Sequence, residues 1–263
     1  MSLTATYNGD LARVGLAATD AYTADHIVIQ RSVNNVQWVT VRGASNLDPA
    51  SATIDDYEFV PGVINYYRSQ SYSAIDALLG TDLDDITPTI TNVWLKSVAR
   101  PFLNMALPWA EEYSTIGRRS RSGLLDIPGR TYPVRIGDVA SSRTWTLTAR
   151  TDTLTQARNL EYLVAAGDAV YVQVPDGFDI PGGYVGIGDM GRDRVSRKLT
   201  DDRRRFALPM TNIAAPAATV VGYTATWAGI LADFGSWSAV MLAFPTWADV
   251  LEYVSDPSVV VVE

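Results

Sequence analysis

The chain contains no cysteine. Disulfides, thiolate catalysis and cysteine-ligated zinc or iron–sulfur sites are excluded together. There is one histidine, His26. A lone imidazole with no second histidine and no acid pair beside it makes a poor metal site, so His26 reads as a surface or half-buried strand residue. No apolar run is long enough to cross a bilayer. The opening Met1-Ser-Leu-Thr-Ala-Thr-Tyr7 lacks the basic start and apolar run of a signal peptide, so synthesis and folding in a cytoplasm are expected. Residues 211–263 hold no lysine or arginine.

At 263 residues the chain suits two domains, and its apolar and charged fractions allow a real core. Charge is segregated. Residues 1–90 balance to −7, residues 91–210 to +4 and residues 211–263 to −5. A basic middle between acidic ends is unlike a nucleic-acid binder, whose basic charge dominates a whole domain. It suits head-to-tail contacts between copies or between segments; a solvated, accidental asymmetry is the other reading.

The densest pattern runs from Arg130 to Asn212. Arg143–Arg150 alternates, with Trp145, Leu147 and Ala149 on one face, which is the period of a half-buried strand. Thr153 and Gln156 have capping-box spacing and open a helix expected over 153–166, with Leu154, Ala157, Leu160 and Val164 on one face. Gly167 is placed to end it. Ala169–Val174 reads as a strand with Val170, Val172 and Val174 facing in. Pro175–Gly177 is a turn, and Tyr184–Ile187 leads to a last strand around Phe206–Pro209. The charged run contains Arg192, Arg194, Arg197, Lys198, Arg203, Arg204 and Arg205 with aspartates between. It reads as a hairpin turning near Thr200–Asp202. Such a run can face an acidic neighbour or phosphate, or be a solvated hairpin laced with ion pairs; interleaved aspartates and missing aromatics argue against DNA.

Leu11–Ala74 reads as a small β-sandwich. Ala12–Ala18, His26–Arg31 and Val36–Val41 are strands, with Ser32–Asn35 as a hairpin turn. Asp55–Phe59, Pro61-Gly62 and Asn65–Arg68 give a strand, a turn and a strand. Ile75–Thr91 reads as an acidic linker. Asp82, Asp84 and Asp85 suggest calcium, but an EF-hand register would place Thr87 where Gly is needed and Val93 where Glu is needed. Val93–Ser97 is a short strand, and Glu111–Ser122 an exposed basic loop. The adjacent Glu111 and Glu112 do not make a glycosidase pair, which needs carboxylates held across a cleft. No catalytic, metal or cofactor constellation emerges.

Near the C-terminus a decad recurs: Thr226-Trp227, Ser236-Trp237 and Thr246-Trp247, each followed by an aliphatic residue three positions after the tryptophan. Ser or Thr as N-cap, with Gly235 and Pro245 as separators, predicts two-turn helices. Helices this short need a partner surface, so the three tryptophans are either a local mini-core or interface anchors. Val259–Val262 has strand character.

Arg31-Ser32 through Trp38, and Pro61-Gly62 followed by Tyr66-Tyr67-Arg68, resemble the hairpin and corner of a fibronectin type III domain. That resemblance makes Tyr66 the candidate corner tyrosine, tying its hydroxyl to nearby backbone. In order along the chain, this start, the junction Val93–Ser97 to Arg100–Asn104, Gly129–Val134, Ala165–Asp168, Arg204–Pro209 and the tryptophan decads resemble minor tail proteins of long-tailed phages that infect actinobacteria. The central strand–helix–strand pattern is also similar in outline to the β-barrel-plus-helix fold of tail-tube and distal-tail proteins.

The resemblance implies a mainly β fold in three parts. Residues 1–90 form a fibronectin III-like β-sandwich with its linker. Residues 91–215 form a β-barrel or sandwich module with one packed helix. Residues 216–263 hold the short helices and a final strand. It further implies a non-enzymatic component of a virion tail tip with no cofactor. Expected partners are identical subunits in a trimer or hexamer, other tail-tip or baseplate proteins, and host-surface glycans, with no membrane or specific nucleic-acid binding. Interface candidates are Arg192, Arg194, Arg197, Arg203, Arg204, Arg205, Trp227, Trp237 and Trp247. The alternative is a carbohydrate-binding or carbohydrate-active protein with a fibronectin-like accessory domain, its aromatics stacking on sugar rings.

Overall fold

The computed structural model describes residues 2–20, 22–128, 131–198, 200–216 and 234–243. Strand far outweighs helix, and the fold is mainly β. The first seven strands are β1 (Ser2–Asn8), β2 (Arg13–Thr19), β3 (His26–Ser32), β4 (Val39–Thr40), β5 (Thr53–Asp56), β6 (Asn65–Tyr72) and β7 (Leu78–Ile86). They form two antiparallel sheets, ordered β1-β2-β5 and β4-β3-β6-β7. Alternate residues turn inward: Val14 and Leu16 of β2 and Ile27 and Ile29 of β3 share one core with Phe59 and Tyr67.

Three sequence expectations change here. The sandwich begins at Ser2 rather than near Leu11. The strand expected over 36–41 shrinks to Val39–Thr40. Asn35 does take positive φ (55°), but the Asn34 side-chain oxygen accepts the Val36 and Gln37 amides, so a side chain replaces the ladder there. Most of the expected acidic linker is strand β7. Its Asp82 and Asp84 carboxylates accept the Leu3 and Ala5 amides and so close the edge of β1.

The second unit contains β8 (Trp94–Ser97), a 3-10 turn at Pro101–Leu103, β9 (Met105–Ala106), β10 (Trp109–Tyr113), β11 (Gly117–Arg118), β12 (Ser122–Leu125), β13 (Val134–Gly137) and β14 (Arg143–Thr151). Helix α1 (Leu154–Ala165) follows, then β15 (Val170–Gln173), β16 (Gly183–Ile187), β17 (Gly191–Arg194), β18 (Arg204–Asn212) and α2 (Trp237–Ala243). One antiparallel sheet runs β10-β14-β18-β16-β15-β8-β9, with β11 extending along β14 and β17 along β18. Its end strands β10 and β9 do not pair with each other, so among the described residues the path is open. Trp145, Leu147 and Ala149 point into its core as their spacing predicts.

The capping box forms: Thr153 Oγ1 accepts the Gln156 amide, and the Gln156 side chain accepts the Thr153 amide. Gly167 takes φ +69° after the helix. The buried stripe is Ala157, Leu160 and Leu163, with Leu154 and Val164 only partly covered. Half of the loop expected over 111–122 is strand, because the nine-residue β14 supplies ladder partners to both β10 and β11. In α2, Gly235 takes φ +70° and Ser236 Oγ accepts the Ala239 amide at 3.3 Å, as the decad predicts. The decads of Trp227 and Trp247, and Val259–Val262, lie outside the described residues.

Candidate functional site

Strand β8 has a different core on each face. Leu95 belongs to the core of the large sheet, while Trp94 packs on the core of the sandwich. Alternation therefore turns Lys96 toward the sandwich as well. Lys96 is 1% exposed. Its ammonium donates to the carbonyls of Ala12 and Tyr57, the latter at 2.8 Å. It lies 4.8 Å from the centre of the Phe59 ring and 5.9 Å from that of Trp94. Burial pulls its pKa down to about 7, against the opposing pull of Asp56 and Glu58.

The rest of this face follows the same parity. Tyr171 and Gln173 of β15 lie opposite Lys96 and Trp94. Gln173 Nε2 donates to the Phe59 carbonyl at 2.6 Å. Tyr171 packs 5.1 Å from Tyr184 of β16, and burial pushes its hydroxyl up to about 12. Arg42 of the sandwich donates to Glu58 at 2.7 Å and to the Tyr184 hydroxyl at 3.4 Å. Beneath them Arg31 donates to both oxygens of Asp56, at 2.7 and 2.6 Å, and Asp56 also accepts the Tyr67 hydroxyl at 2.8 Å. Gly62 takes φ +75°, and a Cβ there would fall 2.7 Å from Cβ of Asp176. The two units are thus joined through a polar seam in which Lys96 and Gln173 are buried.

Tyr66 is not the buried corner tyrosine. It faces outward, while its neighbour Tyr67 is fully buried. The β3–β6 register places Asn65, Tyr67, Ser69 and Ser71 inward, and the Tyr67 hydroxyl binds a carboxylate rather than backbone. His26 opens β3 as expected, but acids do lie beside it: Asp25 at 3.3 Å and Asp76 at 3.8 Å, with the ring stacked on Tyr72. No group of three or more metal-ligating side chains occurs among the described residues.

The expected arginine hairpin exists as β17 and β18. Most of its cations are already engaged. Arg192 pairs with Glu161, Arg203 with Asp201 at 2.8 Å, and Arg205 with Glu111 at 2.9 Å. Arg204 is buried and donates to the carbonyls of Asp201 and Arg203. Only Arg194 and Arg197 of the six arginine candidates are exposed without a carboxylate within ion-pair distance among the described residues. Trp237 is 47% exposed on α2.

A more prominent surface lies just beyond the loop expected over 111–122. The β10–β14 ladder continues through β11, then through the Ser141 amide to Arg119 carbonyl and Asp138 amide to Arg121 carbonyl bonds, into the β12–β13 pair. Among the described residues β12 and β13 pair only with each other. The stretch from Arg118 to Ile127 spans about 30 Å at the rise of a strand. The register puts Leu125, Val134 and Ile136 on one face. Leu125 is 53% and Ile136 64% exposed, and Leu124 on the other face is 70% exposed. The sequence carried one signal for this ribbon, alternation in Val134–Gly137 opposite Leu124-Leu125, but the surrounding arginines and serines obscured it.

No known protein family matches the chain, and no curated protein matches its sequence significantly.

Proposed function

We propose that this chain is a non-enzymatic structural component of a phage tail tip, assembling as a symmetric homo-oligomer and contacting other tail proteins. The solvent-facing β12–β13 ribbon carries this reading. A two-stranded ribbon is marginal in water by itself. One that presents two leucines and an isoleucine to solvent is a surface awaiting a cover. The seam at Lys96 supports the same reading, because it welds two β units into one body able to transmit contacts. The seven strands in two packed sheets are the architecture that a fibronectin III-like first domain calls for. In this reading that domain faces outward, as a spacer or toward host-surface glycans.

The test is peptide mass spectrometry of purified virions from cells making the phage that encodes this chain. Its peptides at a stoichiometry of several copies per particle are expected. Absence from particles, together with glycan turnover by the purified chain, would move the carbohydrate-active reading to the front.

A further inference from the structure

We propose that the β12–β13 ribbon docks on the outer face of β7 in a second copy of this chain. The inference rests on the homo-oligomer reading and names the contact that would build it. Three observations converge. The ribbon face bearing Leu125 and Ile136 has no cover among the described residues. Its root is basic: Arg119 and Arg121 are exposed, with no carboxylate in ion-pair distance among the described residues.

The third observation is a complementary surface on the sandwich. In β7 the even-numbered side chains Asp82 and Asp84 turn toward β1. The odd-numbered ones therefore face out, and these include Leu83, 57% exposed, and Asp85. This surface carries Thr81 and Leu83 with Asp85 at its margin, beside Arg68 and Gln70 of β6, which the register sets opposite Leu83 and Thr81, on a domain whose first 90 residues balance to −7. Apolar residues on each side give burial, and opposite charges at the margins fix orientation. Ribbon and β7 are different surfaces, so the contact is heterologous. Each copy gives a ribbon to one neighbour and receives one from the other, and a rotation that closes yields a ring.

The absence of native cysteine makes a clean cross-linking test possible. Ile136→Cys and Thr81→Cys are made separately in the full chain, mixed, and treated with a short bis-maleimide. The expected product is a hetero-cross-link between the two variants. It should be lost when Leu83→Arg, which opposes the basic ribbon, is added to the Thr81→Cys chain. A control partner with Val36→Cys, on an unrelated exposed loop, should not cross-link to Ile136→Cys. Native mass spectrometry is run on the same samples. Oligomers without the 136–81 cross-link would overturn this contact and leave homo-oligomerisation standing. Monomers without it would overturn both.

Discussion

Lys96 of the second unit holds its ammonium 4.8 Å from the centre of the Phe59 ring of the first, with the Ala12 and Tyr57 carbonyls as its hydrogen-bond acceptors. No carboxylate lies within ion-pair distance of it among the described residues. The charged form therefore bears the desolvation cost of the joint, and this makes stability depend on pH.

The sign follows from the two end states. The folded pKa of Lys96 is about 7, below its ordinary value of 10.5. Between those values the unfolded chain binds the extra proton, so stability rises with pH. The destabilisation is fully present below about pH 7 and is relieved upward. From pH 7 to about pH 9 the gain from this group is about 2 kcal/mol. The buried tyrosines act in the opposite direction at higher pH. Tyr67 and Tyr184 are raised by burial, so their unfolded forms ionise first and stability falls above about pH 10. Urea midpoints measured from about pH 6.5 to pH 9 should rise for the native chain and stay nearly flat for Lys96→Met.

Asp56 holds Arg31 and Tyr67 together beside the joint. Asp56→Ala leaves a buried guanidinium without its partner and should cost about 3–5 kcal/mol. Tyr67→Phe removes one hydrogen bond to a charged acceptor and should cost about 1.5–3 kcal/mol. Guanidinium denaturation of the two variants should give that order; equal losses would mean that the ion pair contributes nothing beyond the hydroxyl.

Gly62 permits the close approach of the two units. Its φ of +75° and the mere 2.7 Å that would separate a Cβ there from Asp176 Cβ penalise any side chain. Gly62→Ala should destabilise by more than about 1 kcal/mol. Gly62→Ala combined with Asp176→Gly should recover the steric part and leave the backbone part. Thermal unfolding of the three chains separates the two contributions.

Removal of the α1 cap gives a local control. Thr153→Ala deletes the acceptor of the Gln156 amide and should cost about 1 kcal/mol, without altering the pH dependence set at the joint.

What the sequence made legible was local. The Thr153–Gln156 box, the Gly167 stop and the inward Trp145, Leu147 and Ala149 each depend on neighbours a few residues away, and each appears where its spacing puts it. What it hid depends on long-range pairing. The parity that buries Tyr67 instead of Tyr66 is set by register with β3. The aspartates of β7 look like a solvated linker until the Leu3 and Ala5 amides arrive from the other end of the sandwich. Lys96 in Val93–Ser97 gives no sign that both faces of its strand are covered, because the second cover is another domain. The arginines of 192–205 suggested an interface, yet Glu161, Asp201 and Glu111 occupy three of them.

Assembly is the central claim, and the oligomeric state of the purified full chain tests it most directly. Native mass spectrometry or mass photometry across a salt series should find a closed oligomer, a trimer or hexamer. Added salt should shift it toward monomer as the basic ribbon and acidic sandwich are screened. A monomer at every salt and protein concentration would contradict the account.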